Sequence, residues 1–186
     1  MTALINLHAR LFAALEAYSS AWLFPTLARI VFAGVLLGYY WASGLTKLGD
    51  GFMGIFFVDF GAYAQILPRV LDSAGYDPSQ IGILSKLIVL AATWGEFILP
   101  LLIILGLITR LAALGMIGFV IAQSWVDIFG HQLDAVSIGS WFDRAPGGLI
   151  LDQRAFWIFV LLVLVVRGAG PVSLDAVLGR RYANAS

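Results

Sequence analysis

The chain has 186 residues, of which 61% are hydrophobic and 12% are charged, and its mean hydropathy is +0.93. A soluble domain of this length needs far fewer apolar residues for its core, so the composition predicts a membrane protein. The formal net charge is zero, which gives a nucleic-acid partner no electrostatic support, and the absence of cysteine excludes disulfides, iron–sulfur clusters and thiolate sites.

The N-terminal segment, residues 1–23, carries apolar side chains at helical spacing, at Leu4, Leu7, Leu11, Leu15 and Tyr18. It lacks the apolar core and cleavage site of a cleavable signal. The pattern predicts an amphipathic helix on the cytoplasmic face of the membrane. A first helix packed beneath the bundle is the alternative.

Four segments are long and apolar enough to be membrane spans, which need about 20 residues each. We place them at residues 27–48, 82–109, 110–130 and 154–170, joined by connections at 49–80 and 131–153 and followed by a tail at 171–186. The uncharged part of the fourth segment covers only ~18 Å. We therefore expect Arg167 to extend to the surface and the polar step at 152–154 to lie at membrane depth, satisfied by protein.

Charge asymmetry between the two sides predicts the orientation. The side with both termini carries six arginines and two acids, and the side with the long connections carries five basic residues and eight acids. Both termini are therefore expected in the cytoplasm. The sequence predicts a multi-pass protein of a bacterial inner membrane with both long connections exoplasmic.

The first connection, 49–80, has a helical stripe of apolar residues, namely Phe52, Phe56, Phe60, Tyr63, Leu67 and Leu71. It predicts an exoplasmic interfacial helix that roofs the bundle, or alternatively a lid over an aromatic pocket open to lipid. The second connection, 131–153, contains Trp-Phe-Asp-Arg at 141–144 and Pro-Gly-Gly at 146–148, which is typical of a structured turn. The expected fold is an all-α four-helix membrane bundle with an N-terminal amphipathic helix and this interfacial helix.

Glu96 is the only acid in the most apolar stretch, residues 84–108. A carboxylate inside a membrane span is energetically costly unless it is neutralised, paired or hydrated, so it is a candidate functional residue. The alternative is a protonated glutamic acid that only joins two helices by a hydrogen bond.

Counting residues from the Arg110 turn places other polar groups at similar depth. Glu96 precedes this turn by 14 residues and Gln123 follows it by 13, so both lie ~20 Å from it on adjacent helices. Asp127 and His131 continue the Gln123 face toward the exoplasmic side. The first span adds Tyr40 near the Glu96 level and Lys47 near the Asp127 level.

These positions predict a site that opens outward. The expected catalytic residues are Glu96, Tyr40 and Asp127, and the expected binding residues are Gln123, Trp41, Trp94, Lys47 and His131, with the two tryptophans as aromatic walls. A Lys47–Asp127 salt bridge at the interface is an ordinary alternative. The vertical separation of Glu96 and His131 argues against a metal, and His8 and His131 are predicted on opposite sides, so neither a metal nor a haem is expected.

Five features resemble the DoxX family: Arg29, Gly-Leu-Thr-Lys at 44–47, Glu96, Gly-Leu-Ile-Thr-Arg-Leu-Ala-Ala at 106–113 and Gly-Ala-Gly-Pro-Val-Ser-Leu-Asp at 168–175. The resemblance covers residues 27–175 and implies a small four-helix bundle of the bacterial inner membrane. Relatives in this family include the DoxD-type subunit of thiosulfate:quinone oxidoreductase. Among these residues, Arg29, Arg110 and Asp175 are expected to be structural.

Two function classes follow from the residues and the resemblance. In one, the chain is a quinone-facing subunit that couples an exoplasmic partner oxidoreductase to the quinone pool, with exchangeable quinone as its cofactor and Glu96 as proton carrier. In the other, it is a non-catalytic anchor, assembly factor or small-solute permease. Its partners are the lipid bilayer and the expected oxidoreductase, and a homo-oligomer is left open.

Overall fold

The computed structural model describes residues 2–183, and its regular structure there is helical apart from one isolated bridge between Leu48 and Val58. Four helices are long and apolar enough to cross a membrane: Phe24–Leu45, Ile83–Leu105, Thr109–Gly130 and Leu149–Arg167. We call them the first to fourth spans. The prediction of an all-α membrane protein with four spans is confirmed.

The four spans form a closed bundle, in which the first and third spans each pack against the second and the fourth. Its core is apolar and continuous, with Ala28, Phe32, Leu36, Tyr40, Ile103, Ala112, Ala113, Met116, Val120, Leu161 and Leu164. Small residues on the third span allow close approach of its neighbours. We call the end that carries both chain termini the terminal end, and the opposite end, with the two long connections, the loop end.

The N-terminal helix, Thr2–Tyr18, continues through a widened turn at Ser19–Leu23 directly into the first span. Pro25 follows this turn and has no amide hydrogen, so the carbonyl four residues earlier loses its usual partner and a wider turn accommodates it. Leu4, Leu11 and Leu15 are all exposed. A helix packed beneath the bundle is therefore wrong, whereas its place on the cytoplasmic membrane face stays a prediction.

The first connection contains short helices at Phe52–Ile55, Phe60–Ile66, Pro68–Ser73 and Pro78–Gln80. A single helix with one apolar face is therefore wrong, because Pro68 starts a new helix after Leu67 leaves helical geometry. We call Phe60–Ile66 and Pro68–Ser73 the roof. Its buried Tyr63 and Leu71 pack in a second core with Val89 of the second span, while Phe52 is exposed.

The fourth span begins at Leu149, five residues before the predicted start, after a short helix at Ala135–Ile138. It therefore includes Asp152 and Arg154, and Arg154 is buried within the bundle. Arg167 lies at its last residue and is exposed. The exposure of Arg167 agrees with its expected position at the surface, whereas the depth of residues 152–154 in a membrane stays a prediction. The described part of the chain closes with the helix Leu174–Ala183.

Candidate functional site

A cavity of about 780 Å³ lies between the spans toward the loop end. The second and third spans, the end of the first, the start of the fourth and the roof all contribute to its lining, which is mostly apolar. Its polar lining residues are Tyr39, Ser43, Lys47, Gln65, Glu96, Gln123, Asp127, His131 and Arg154. A concave apolar cavity with a few convergent polar groups is typical of a small-molecule site.

The cavity opens sideways, between the second and third spans. Ile88, Ile121 and Trp125 line it and are also 46%, 57% and 65% exposed on the outer surface of these spans. Ile66 of the roof and Leu67, which lies between the two roof helices, line the cavity at the loop end. The cavity is therefore bordered by side chains that are also accessible from outside the bundle.

A buried ion pair forms one polar wall of the cavity. Lys47 Nζ lies 3.1 Å from Glu96 Oε2, and the two side chains are 3% and 7% exposed. The same ammonium donates to the Ser43 hydroxyl at 2.6 Å and to the Ser43 carbonyl at 3.0 Å, while that hydroxyl donates to Glu96 Oε1 at 3.3 Å. The three hydrogens of Lys47 are thus all used, as a charge taken out of water requires.

A second polar wall joins the first and third spans. Gln123 Nε2 donates to the Tyr39 hydroxyl at 2.8 Å, and Gln123 Oε1 accepts from the Tyr40 hydroxyl at 3.4 Å. Tyr39 lines the cavity and is 40% exposed, whereas Tyr40 is fully buried in the core. The Tyr39 oxygen accepts from Gln123, so the hydroxyl hydrogen is left for a different acceptor.

A second ion pair forms the third polar wall. Arg154 Nη2 lies 2.6 Å from Asp127 Oδ2, and Arg154 Nη1 donates to the Ser124 hydroxyl at 2.9 Å. The guanidinium carbon lies 5.9 Å from the ring centroid of Trp157. Arg154 was not among the predicted site residues, although its charge inside the fourth apolar segment was the signal that could have placed it there.

His131 lines the cavity and contacts the roof. Its Nε2 lies 3.0 Å from the carbonyl oxygen of Gln65, and both residues line the cavity. Next to it, a Cβ on Gly130 would come within 2.8 Å of Pro68 Cγ, so the roof is in close contact with the end of the third span. The His131–Gln65 contact therefore joins the roof to the third span, and the predicted role of His131 in binding stays a prediction.

The predicted pairing of the polar residues needs correction. Lys47 does not pair with Asp127, since its ammonium pairs with Glu96, and Asp127 pairs with Arg154. Glu96 bonds to Ser43 and Lys47, whereas Gln123, predicted at a similar depth, bonds to Tyr39 and Tyr40. Counting residues assumes that the helix axes do not tilt against one another, and it ignores the length of each side chain. The long side chain of Lys47 extends back along the first span toward Ser43.

The two predicted aromatic walls lie outside the cavity lining, and the prediction is wrong in that respect. Trp94 donates its indole hydrogen to the Ile55 carbonyl at 2.9 Å, and Trp41 donates to the Phe97 carbonyl at 3.3 Å. Trp94 precedes Glu96 by two residues, which turns it by about 200° on the helix. The indole that lines the cavity belongs to Trp125.

The terminal end contains the three residues expected to be structural. The Arg29 guanidinium donates to the carbonyls of Ile103, Ile104, Ala169 and Val172, joining the first span to the ends of the second and fourth. Asp175 accepts from the amides of Ile108 and Thr109 and caps the third span. Arg110 is exposed beside Gly168.

Among the side chains that the structure describes, no group of three or more His, Asp and Glu converges on a point where a metal could bind. A comparison with curated proteins gives no match, and neither does a comparison with solved structures. The model of one family, DoxX, matches residues 24–127. This match covers more than half of the chain, including Tyr39, Lys47, Glu96, Gln123 and Asp127. The chain therefore belongs to the DoxX family.

Proposed function

We propose that this protein is a quinone-facing membrane subunit of a redox system, which couples a partner oxidoreductase on the exoplasmic side to the quinone pool. The observation that carries the proposal is the lateral cavity, whose opening lies between two membrane spans and whose inner walls carry ionised and hydroxyl groups. An apolar molecule with a polar ring, dissolved in the bilayer, matches both features.

The volume of the cavity supports a ring-sized occupant. About 780 Å³ is within the usual range for sites that enclose small molecules. The exposed lining residues Ile88, Ile121 and Trp125 supply apolar contacts where an isoprenoid tail would leave the bundle.

The polar walls supply the groups that a quinone site needs. When bound, a quinone takes up two electrons and two protons as it becomes a quinol. In this chain, the Tyr39 hydroxyl would donate to a ring carbonyl, and Glu96 would exchange a proton in contact with Ser43 and Lys47. The electrons come from the partner, because the chain has no cysteine to ligate an iron–sulfur cluster or form a redox disulfide.

A continuous polar path through the bundle would favour the permease alternative. Between the cavity and the terminal end, however, the core is filled by Phe32, Leu36, Met116, Leu161 and Leu164, which are all buried. This apolar layer supports binding from the membrane over conduction through it.

The anchor or assembly alternative draws support from a different observation. Lys47, Ser43 and Glu96 satisfy one another, so the same contacts serve equally well to join the first and second spans. The two functions differ in whether the cavity takes up a quinone.

The test is quinone binding by the purified protein in lipid nanodiscs. We expect quinone to be extracted with the wild-type protein, and a short-tailed quinone to bind it saturably. Tyr39→Phe should weaken this binding about fivefold, because a hydrogen bond contributes about 1 kcal/mol. Tyr40→Phe should leave the binding nearly unchanged, because of the two tyrosines only Tyr39 lines the cavity.

The two tyrosines form a matched pair, because they are neighbours that differ in exposure to the cavity. A wild-type protein that binds no more quinone than empty nanodiscs would leave the anchor or assembly function as the better explanation.

A further inference from the structure

The loop at residues 49–57, between the end of the first span and the roof, is a compact unit. Its two ends meet, because the Gly49 amide donates to the Phe57 carbonyl at 2.9 Å and to the Gly54 carbonyl at 3.2 Å. Gly54 passes so close to Gly49 that a Cβ on Gly54 would lie 1.8 Å from the Gly49 oxygen. The loop is therefore closed on itself and packed through its glycines.

The 49–57 loop is attached to the second span below the loop end. Trp94 is the central residue of the span Ile83–Leu105, and its indole donates to the Ile55 carbonyl at 2.9 Å. Half of this 23-residue helix measures ~17 Å. Helical side chains lean toward the helix N-terminus, which is here at the loop end. The attachment therefore lies about one turn above Trp94 and about two turns short of the loop end.

The second span stays apolar and exposed on the loop-end side of this attachment. Ile83, Leu84 and Leu87 are each more than half exposed, as is expected of a helix surface in contact with lipid. The span is ~34 Å long, whereas the hydrocarbon core of a bilayer is ~30 Å thick. Less than one turn of the span therefore stands clear of the hydrocarbon, and the attachment of the loop lies below the membrane surface.

The outward surface of the loop consists of large apolar side chains. Phe52, Met53, Phe56 and Phe57 are 85%, 55%, 54% and 67% exposed. A contiguous apolar patch of this kind marks a surface that contacts a membrane or another protein. The nearest acids, Asp50 and Asp59, are exposed at the two ends of the loop, so a position at the head-group boundary leaves both in contact with water.

We infer that the 49–57 loop is inserted into the leaflet at the loop end, with these four apolar side chains among the acyl chains just inside the head groups. The partner of this surface is lipid. The amides of Gly49, Gly54 and Phe56 donate to carbonyls of the loop itself, as a loop outside regular helix requires where water is scarce.

Insertion of the loop would also set the depth of the buried ion pair. The loop begins two residues after Lys47, whose ammonium pairs with Glu96, so the loop holds this wall of the cavity at a fixed level in the bilayer. The inference goes beyond the proposed function, because it applies equally to a quinone-facing subunit and to an anchor.

The test is the location of single nitroxide labels on the full-length protein in lipid nanodiscs. The chain has no cysteine, so Phe52→Cys and Phe57→Cys each carry one label. Leu101→Cys on the second span is the control for lipid, and Ser73→Cys on the roof is the control for water, since both residues are exposed. Electron paramagnetic resonance then compares collisions with oxygen, which concentrates in lipid, and with a water-soluble nickel chelate.

We expect the ratio of oxygen to nickel collisions to be severalfold higher at Phe52 and Phe57 than at Ser73. The label at Phe52 should lie ~5–10 Å into the boundary between head groups and acyl chains, and the label at Leu101 should lie deeper. Circular dichroism checks that each labelled variant is folded, and Phe57→Cys carries the test if Phe52→Cys does not fold.

Two outcomes would overturn the insertion of the loop. A collision ratio like that of Ser73 would place the loop in water. A label that neither reagent reaches would show that protein covers the loop, either a second copy of this chain or a partner. Both measurements are made without quinone, so the proposed function stands or falls separately.

Discussion

Removing one partner of the Lys47–Glu96 pair should destabilise the protein far more than removing both. Glu96→Gln leaves the Lys47 ammonium buried without a counter-charge. Lys47→Met likewise leaves the Glu96 carboxylate buried without a counter-charge. Combining Lys47→Met with Glu96→Gln removes both charges, and the replacements have nearly the volumes of the original side chains.

The burial and the separation of the two charges determine the expected loss of stability. The two side chains are 3% and 7% exposed and lie 3.1 Å apart, so solvent screens neither charge effectively. Leaving one buried partner unpaired costs about 3–5 kcal/mol, whereas replacing the whole pair by neutral groups is often close to neutral. We therefore expect a loss of about 3–5 kcal/mol for each single variant, and a change within about 2 kcal/mol for the double variant.

The assay is equilibrium unfolding in mixed lipid–detergent micelles, driven by a denaturing detergent and followed by circular dichroism, for all four members of the mutant cycle. Glu16→Gln serves as the control, because Glu16 is exposed on the N-terminal helix. If Glu96→Gln unfolds like the wild type, the carboxylate does not neutralise Lys47 and the paired description of the site is refuted. The double variant is also the one to use in an activity assay. Because it should keep its fold while lacking the Glu96 carboxylate, a loss of activity would report on proton exchange and not on unfolding.

Three further predictions concern orientation and packing. A reporter fused after the last residue should be active only if it reads the cytoplasm, because the arginine excess lies at the terminal end; activity of an exoplasmic reporter would reverse the sides. Asp175→Ala should cost about 1–2 kcal/mol in the unfolding assay, since it removes the cap of the third span, and an unchanged midpoint would contradict that role. Gly44→Ala should destabilise by about 1–3 kcal/mol, because its Cβ would lie 2.5 Å from Phe97 Cζ. Gly38→Ala on the same span meets nothing within 4 Å and should be neutral or stabilising, so equal effects of the two substitutions would argue against the close packing.

Much of the architecture could be predicted from local properties of the chain. Apolar length is enough to identify the four spans, because each must satisfy its own backbone hydrogen bonds within the membrane. Glycine and charge near Gly106 and Arg110 mark the tight turn between the second and third spans. The burial of Glu96 also follows from sequence, since a lone acid in an apolar stretch must find a partner.

The partners of the charged residues could not be predicted in the same way. Lys47 lies two residues after the end of the first span, where a lysine ordinarily extends to water, yet it is buried against Glu96. Likewise, helical spacing places Tyr39 and Tyr40 about 100° apart but does not say which of them faces the cavity. These choices depend on the crossing of the helices and on the path of the roof, which are long-range properties.

By itself, the sequence determined the membrane class, the number of spans, the turn between the second and third spans and the need to satisfy Glu96. Only the tertiary structure decided that Glu96 pairs with Lys47, that Asp127 pairs with Arg154, and that Tyr39 faces the cavity while Trp41 and Trp94 do not. The physical reason is that hydrophobicity and helix period act along one segment. The pairing of buried charges, in contrast, depends on which side chains of different segments come within hydrogen-bonding distance once the helices have packed.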